Sequence, residues 1–223
     1  MDTNSLFQSS FHVCIIGGGV VGLTGSILLR QQGLKVTVLE RDMALHTTGA
    51  GIQLHPNAVR VLQNMNVYEK IRSKSIIPPS IILKDYKTGQ VLHAQDLLEP
   101  AKKYGAPLLT LHRAHLRELL YDEALSYGVE IRHGVHINVA DINLEKGEVK
   151  LSDPLETFEA DLIIGADGAQ SVVREALNGH KEEATPHGKI VNRILVEEAV
   201  IIKILYLTSR TTLLLKHIHS KSI

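Results

Sequence analysis

The sequence predicts an α/β fold built on a Rossmann-like βαβ unit, and three observations near the N-terminus carry that prediction. An apolar run from Phe11 to Gly17 has the length and composition of a buried strand. The pattern G-x-G-x-x-G follows, and a segment of helical periodicity then ends at Gly33. A second strand, residues 35–40, ends in an acid. Strand, glycine turn, helix, strand and acid in this order are typical of a unit that binds a dinucleotide.

Each glycine of the pattern has a separate physical task. Gly17 allows the tight turn, Gly19 lets the backbone approach a pyrophosphate closely, and Gly22 lets the helix pack against the strand. Val20 and Val21 begin the helix, where free N–H groups and the positive end of the helix dipole favour phosphate. We therefore predict that these five residues contact a dinucleotide.

The acid at the end of the second strand is Glu40, which lies 18 residues beyond Gly22. This is close to the roughly 20 residues expected for an acid that accepts hydrogen bonds from ribose hydroxyls. A carboxylate here would repel a 2′-phosphate, which disfavours NADP at this site. We add the next residue, Arg41, to the candidate contacts. The motif itself leaves open whether NAD or FAD is bound.

Composition excludes some function classes. The 223 residues carry equal numbers of basic and acidic side chains, 24 of each, which gives no argument for nucleic acid or an anionic membrane as partner. Trp is absent and aromatic residues make up 4% of the chain, so we expect no stacking surface for single-stranded nucleic acid. Cys14 is the single cysteine and is predicted to be a buried, inert thiol. A chain without a disulfide fits a reducing compartment, and we predict a cytoplasmic protein.

Two segments bear on targeting. The first ten residues are predicted to be flexible, and they lack the basic and apolar regions of a secretory signal. Residues 194–215 are apolar enough to suggest a membrane span, but they contain two glutamates, a lysine and an arginine. Each such charge costs roughly 2.5–3.5 kcal/mol near the centre of a bilayer, so we expect no membrane span.

Three later stretches extend the α/β pattern. Residues 47–65 begin with a small-residue loop, from which Gly51, Ile52 and Gln53 lead to a helix that starts at Pro56. Residues 111–128 form a predicted helix with Arg113 at its start. Its apolar stripe comprises Leu116, Leu119, Leu120 and Leu125. Residues 160–177 are predicted to form a buried strand, an Asp-Gly turn at Asp167 and Gly168, and a helix.

Together with the first glycine motif, these stretches resemble the FAD-binding half of single-component flavin monooxygenases. The matching segments read "GAGIQLHPNA", "LHRAHLRELL" and "DLIIGADGAQSVVR". The group includes para-hydroxybenzoate hydroxylase and salicylate hydroxylase, and the resemblance covers roughly residues 11–178. It implies an α/β fold with a Rossmann-like FAD-binding domain of the GR2 type, para-hydroxybenzoate hydroxylase-like, and an incomplete β-rich substrate domain. It also implies an oxidoreductase that uses FAD, with NAD(P)H as electron donor, to hydroxylate a small aromatic substrate with O₂.

The resemblance also implies roles for individual residues. Glu40 would bind the adenosine ribose, and Arg113 would lie near the pyrophosphate or the flavin. Gln53 and its glycine loop would line the flavin, and the turn at Asp167 would serve both FAD and NAD(P)H. The plainer alternatives are a solvated charge for Arg113, a surface position for Gln53 and a strand-to-helix corner for Asp167. No catalytic residue is identified, and the twelve histidines form no metal-binding pattern.

The resemblance predicts a domain division. We assign residues 1–10 to a flexible N-terminus, 11–78 and 106–178 to the FAD-binding domain, 79–105 and 179–200 to a partial substrate domain, and 201–223 to an atypical tail. The family continues well beyond this length and carries a later glycine-containing flavin motif that this sequence lacks. We therefore interpret the chain as a truncated, N-terminal portion, with exposed strand edges that favour self-association. The alternatives are a non-catalytic FAD- or nucleotide-binding fragment, an NAD-dependent dehydrogenase and a flavin halogenase.

Overall fold

A computed structural model describes residues 11–45, 50–152, 155–185 and 188. Its helices and strands, in chain order, are β1 (His12–Ile16), α1 (Val20–Gln31), β2 (Lys35–Leu39), β3 (Gly51–Leu54), α2 (Pro56–Asn64), α3 (Tyr68–Ser73), β4 (Ser80–Lys84), β5 (Val91–Asp96), α4 (Leu98–Tyr104), β6 (Leu109–His112), α5 (Arg113–Ser126), β7 (Glu130–Arg132), β8 (Ile142–Asn143), β9 (Glu148–Ser152), β10 (Leu155–Glu159), β11 (Leu162–Gly165) and α6 (Val172–Asn178). A single 3₁₀ turn, Val139–Asp141, precedes β8.

Contacts divide the chain into two compact units. The first unit comprises residues 1–48 and 114–189, and the second comprises residues 49–113 and 190–223. The domain division predicted from the sequence was drawn by the expected roles of the segments in binding FAD or substrate, not by their contacts. It therefore remains a prediction. The predicted tail, residues 201–223, and the apolar segment 194–215 lie outside the described residues, as does the N-terminal segment 1–10.

The first unit is built on a four-stranded parallel sheet in the order β11-β1-β2-β7. Strands β1 and β2 occupy the centre, in a register that pairs Cys14 with Thr37, and almost all of their residues are buried. Their runs of Val, Ile and Leu are continuous rather than alternating, as expected for parallel strands that are covered on both faces. The predicted α/β, Rossmann-like fold is confirmed.

Helix α1 returns the chain from β1 to β2, and its inner face follows helical spacing. Gly22, Leu23, Ser26 and Ile27 are buried along that face. The helix starts after Gly19 without a side-chain cap, and Gly33 follows its end with φ of +83°. The predicted bounds of this βαβ unit therefore lie within about two residues of the observed ones.

Strand β11 differs from expectation. The sequence predicts a buried strand there, but its end residues Leu162 and Gly165 are exposed, and Ile163 and Ile164 between them are only half-buried. The reason is position, because β11 is the edge strand and pairs with β1 alone among the described strands. A short apolar run has the same composition at the edge of a sheet as at its centre.

An antiparallel sheet, in the order β10-β9-β8, completes the first unit. Val149, Leu151 and Phe158 from this sheet share a hydrophobic cluster with Cys14 and Ile16 of β1. The two sheets of the unit therefore pack on one continuous core. Gly147 lies in the turn between β8 and β9, with φ of +69°.

The second unit contains two separate antiparallel pairs. Strands β3 and β6 pair with each other, with Ile52 opposite Leu111; helix α2 packs beside β3 and contacts α3. The sequence predicts a loop at the start of this segment, but Gly51 already belongs to β3 because the ladder with β6 extends to His112. Pro56 begins α2 as predicted.

The other pair is the hairpin of β4 and β5, joined by a turn over residues 85–90. Every residue of both strands is exposed. Among the helices of the described residues, none is long and apolar enough to cross a membrane.

Candidate dinucleotide site

The first turn of the chain is closed so tightly that only glycine fits at its start. Gly17 has φ of +109°, and its N–H donates to the carbonyl of Leu39 at 2.8 Å. A Cβ at this position would collide with the carbonyl oxygen of Ala166 and lie 2.9 Å from the Cα of Asp167. The backbone around Gly17 is therefore held between β2 and the segment that follows β11.

Gly22 and Gly19 differ in how much space a side chain would have. A Cβ on Gly22 would collide with the carbonyl oxygen of Gly17, so α1 starts directly against the turn. A Cβ on Gly19 would meet no atom within 4 Å. Val21, in the first turn of the helix, is 73% exposed. The side of the turn that carries Gly19 and Val21 is therefore open, and the side that carries Gly17 and Gly22 is filled by protein.

The Asp-Gly turn lies against this glycine turn. Asp167 Oδ2 accepts hydrogen bonds from the N–H groups of Val172 and Val173, at 2.7 and 3.3 Å, at the start of α6. The other oxygen, Oδ1, is buried and has no hydrogen-bond partner among the described residues. An unpaired buried carboxylate oxygen is costly, which indicates a place for a donor from outside the protein. Gly168 follows with φ of +83° and open space around it.

Glu40 is buried immediately after β2, and the protein fixes both of its carboxylate oxygens. Oε2 accepts from the N–H of Gly18 at 2.6 Å, and Oε1 accepts from the N–H of Asp42 at 2.9 Å. A Cβ on Gly18 would lie 2.6 Å from Oε2, so this contact requires glycine. Each carboxylate oxygen has two lone-pair sites, which leaves Oε1 with capacity for a further donor.

Arg117, on helix α5, forms ion pairs with Glu40 and with the nearby Asp42. Its Nη2 lies 3.2 Å from Glu40 Oε2 and its Nη1 lies 3.6 Å from Asp42 Oδ2. Its Nε donates to the carbonyl of Gly18 at 3.0 Å. The side chains of Arg117 and Glu40 are only 16% and 10% exposed. Arg41, by contrast, points into solvent, with 75% of its side chain exposed.

The remaining predicted residues lie in the second unit. Ala50, Gly51, Ile52 and Arg113 line a cavity of about 300 Å³. The N–H of Arg113 donates to the carbonyl of Ala50 at 3.0 Å, which ties the start of α5 to the start of β3. The Arg113 side chain is exposed, and no described residue accepts a hydrogen bond from its guanidinium. Gln53 is exposed on β3.

The structure thus brings together the glycine turn, Glu40 and the Asp167-Gly168 turn in the first unit, and Gly51, Ile52 and Arg113 around one cavity in the second. Sequence reasoning missed Gly18 and Arg117. Gly18 stands inside a run of three glycines, which could have indicated that its side-chain space is occupied. Arg117 lies one helical turn after Arg113, on a face that no sequence pattern marks as functional.

These residues fit a dinucleotide. The turn is open at Gly19, where a pyrophosphate would approach, and the first turn of α1 contains no acidic side chain to repel it. The orphaned Oδ1 of Asp167 lies beside the same turn. The described residues contain no group of three or more His, Cys, Asp or Glu side chains that could hold a metal ion.

Comparison with known proteins agrees with this geometry. Residues 10–200 match the family model of an FAD binding domain. The chain is 33% identical over 192 residues to an FAD-dependent monooxygenase of Beauveria bassiana, covering 85% of this chain and 44% of that protein. It is 32% identical over 187 residues to 3-hydroxybenzoate 6-hydroxylase of Klebsiella oxytoca, covering 83% of this chain and 46% of that protein.

A solved structure extends the comparison to the fold. The crystal structure of 2-methyl-3-hydroxypyridine-5-carboxylic acid oxygenase superimposes with a TM-score of 0.65 at 30% identity, covering 75% of this chain and 42% of that one. The chain therefore spans about half the length of the curated relatives it matches.

Proposed function

The chain belongs to the family of FAD-dependent aromatic monooxygenases, and from that premise we propose that it is the N-terminal, FAD-binding portion of an enzyme that hydroxylates a small aromatic substrate. The proposed enzyme takes electrons from NAD(P)H and one oxygen atom from O₂. The observation that carries the proposal is the glycine turn, which is filled by protein at Gly17 and Gly22 and open at Gly19.

The residues of the first unit would hold the adenosine and pyrophosphate half of FAD. The N–H groups at the start of α1, from Gly19 to Val21, would face the pyrophosphate, where the helix dipole favours negative charge. Glu40 would accept a hydrogen bond from a ribose hydroxyl through the remaining lone pair of Oε1. Asp167 Oδ1, which lacks a partner among the described residues, would accept a hydrogen bond from the cofactor or from NAD(P)H. Arg41, beside Glu40, would contact the adenosine from solvent.

The second unit would serve the flavin side. Arg113 supplies an exposed guanidinium beside the exposed backbone of Gly51, and this cationic cavity suits an anionic or carbonyl group of the cofactor. Ile52 and Gln53 continue the same strand toward Leu54. Bound FAD would supply the electron transfer and oxygen activation that amino-acid side chains lack. The protein's own task here is binding and orientation, which is why no catalytic residue is assigned.

The substrate class is proposed from the relatives. The names of the relatives and of the solved neighbour specify a hydroxybenzoate and a hydroxypyridine carboxylic acid. We propose a small aromatic acid or phenol for the whole enzyme. A cytoplasmic location and self-association through the exposed hairpin strands are further parts of the proposal, which rest on the single buried thiol of Cys14 and on the exposed strands β4 and β5.

A second candidate is a binding protein without activity. What supports it is that every role argued above for the described residues is one of binding or orientation. The two candidates separate in one experiment, because both predict FAD binding whereas only the enzyme consumes NAD(P)H and oxygen together.

The experiment is a titration of the purified 223-residue chain with FAD, followed by absorbance and flavin fluorescence, with Gly19→Ala and Gly25→Ala as matched variants. A Cβ at Gly19 meets no protein atom within 4 Å, and one at Gly25 meets only Ile15 Cδ1 at 3.9 Å, so both variants should fold. Gly19→Ala places a methyl group where the pyrophosphate would approach. We expect its FAD affinity to fall at least about tenfold, and that of Gly25→Ala to stay unchanged.

Two results would contradict the proposal. A wild-type chain that leaves FAD fluorescence unchanged at any concentration binds no FAD, and the proposal fails. FAD binding that is equal in Gly19→Ala and wild type would show that the cofactor lies elsewhere. NAD(P)H oxidation with oxygen uptake by the FAD-loaded chain would exclude a binding protein without activity.

A further inference from the structure

We propose that Arg117 is a positioning residue, which holds Glu40 and the glycine turn in the arrangement that receives the adenosine ribose. The inference rests on the proposed function, because it concerns the same FAD site. Arg117 lies on α5, far in sequence from the glycine motif, and no pattern in the sequence marks it as part of a nucleotide site.

The geometry joins three segments through one guanidinium. Nε donates to the carbonyl of Gly18 in the turn, Nη2 pairs with Glu40 after β2, and Nη1 pairs with Asp42 two residues later. Glu40 in turn accepts from the N–H of Gly18. The turn and the acid are thus linked twice, once directly and once through Arg117.

The charges explain why an arginine is needed at this place. Glu40 and Asp42 bring two carboxylates to one side of the turn, and the Glu40 side chain is only 10% exposed. Two partly desolvated carboxylates repel each other unless a cation lies between them. The planar fork of arginine reaches both carboxylates and a carbonyl at once, which the single ammonium group of lysine does less well.

The consequence concerns the direction of the Glu40 lone pairs. Oε2 is occupied by Gly18 and Arg117, and Oε1 accepts from Asp42. The acceptor site that remains on Oε1 can face a ribose only while the carboxylate plane is fixed. Loss of Arg117 would leave the carboxylate held by the N–H groups of Gly18 and Asp42 alone. The carboxylate would then be less firmly oriented, and the site would lose its discrimination for a ribose hydroxyl before it lost its pyrophosphate contacts.

A plain stabilising role is the competing explanation, and Arg30 provides a matched control for it. Arg30 is also partly buried in the first unit, and its Nε and Nη1 donate to the carbonyls of Tyr127 and Leu34 at 2.9 and 2.8 Å. It therefore makes a similar clamp at the opposite end of α1, remote from Glu40. Arg30→Met removes comparable hydrogen bonds without touching the ribose acid.

The test compares ADP with 2′-deoxy-ADP as competitors of FAD on the 223-residue chain. We expect wild type and Arg30→Met to prefer ADP by about tenfold, the value of one hydrogen bond to a charged group, and Arg117→Met to bind both ligands about equally. The ratio of the two affinities is unaffected by a general loss of stability, since both ligands meet the same folded population.

A second measurement needs no ligand. Hydrogen exchange of the amides in residues 17–22 should be faster in Arg117→Met than in wild type or Arg30→Met, because Gly18 loses one of its two links to the rest of the unit. An unchanged affinity ratio in Arg117→Met, with wild-type binding intact, overturns the inference and leaves the proposed function standing. If the wild-type chain binds neither FAD nor ADP, the proposed function and the ribose role of Arg117 both fail.

Discussion

The glycine turn and the β4–β5 hairpin are both short segments, but the turn is enclosed by neighbouring residues, whereas every strand residue of the hairpin is exposed. Around the turn, β1 and β2 are buried, and added Cβ atoms at Gly17, Gly18 and Gly22 would all strike protein. In the hairpin every strand residue is exposed, including Leu92 at 61%. The neighbouring residues therefore fix the geometry of the turn, whereas the apolar side chains of the hairpin remain substantially exposed.

The largest expected effect comes from filling the closed side of the turn. Gly22→Ala places a Cβ against the carbonyl oxygen of Gly17, which must shift together with the start of α1. Because backbone cannot yield as a side chain can, we expect a loss in the free energy of unfolding of about 3 kcal/mol or more, measured by urea denaturation.

Gly25→Ala is the control in the same helix. Its Cβ would make only an ordinary contact with Ile15, and removing a helical glycine should stabilise the protein by about 0.5–1 kcal/mol. Equal destabilisation by both alanines would mean that the turn is no tighter than the rest of α1, and the contrast with the hairpin would lose its basis.

A second, pH-dependent effect is expected from the buried thiol in β1. Burial raises the pKa of Cys14 from 9.0 to about 12. The unfolded chain therefore releases the proton first as pH rises, so the contribution of this thiol to stability is fully present below pH 9 and is lost between pH 9 and about 12. The slope should be about 1.4 kcal/mol per pH unit in that window.

The measurement is the free energy of unfolding as a function of pH for wild type and Cys14→Ala. Other groups titrate in the same window in both proteins, so the difference between the two curves isolates the thiol. We expect that difference to shrink as pH rises above 9. If the two curves of unfolding free energy against pH run parallel, the thiol is accessible to solvent in the native state. Strand β1 is then less deeply buried than its contrast with the exposed hairpin requires.

The sequence predicted the βαβ unit and the tight turn at its glycines because those features are local. The spacing of Gly17, Gly19 and Gly22 depends only on neighbours along the chain, and the observed helix starts at Val20 as predicted. Arg117 escaped prediction because its contacts with Gly18 and Glu40 span many residues of chain, and such contacts leave no periodic signal.

Burial was the weaker part of the sequence prediction. The apolar stripe assigned to α5 includes Leu125, which is 47% exposed, whereas the smaller Ala124 is fully buried. Strand β11 was expected to be buried and is an edge strand. In both cases the kind of element was predicted correctly, but its burial was not. Burial depends on which strands and helices lie next to it in space, and composition alone does not contain that information.

The smallest expected effect is in the hairpin, at Leu92. Leu92 lies opposite the irregularity between Leu83 and Lys84, where the ladder of β4 and β5 changes register. Leu92→Asp should change the free energy of unfolding by no more than about 0.5 kcal/mol, as for other exposed positions. The matched change in the sheet, Val36→Asp, buries an unpaired charge and should prevent folding or cost several kcal/mol.

The same Leu92→Asp variant also tests self-association, because a charge on an exposed apolar strand opposes pairing of strands between chains. Sedimentation of wild type and variant at matched concentrations should show less association in the variant. A large loss of stability at Leu92 would mean that residues outside the described part of the chain, or a second copy, cover the hairpin. Both regions would then be buried, the turn by its neighbours in the described part of the chain and the hairpin by another segment or chain.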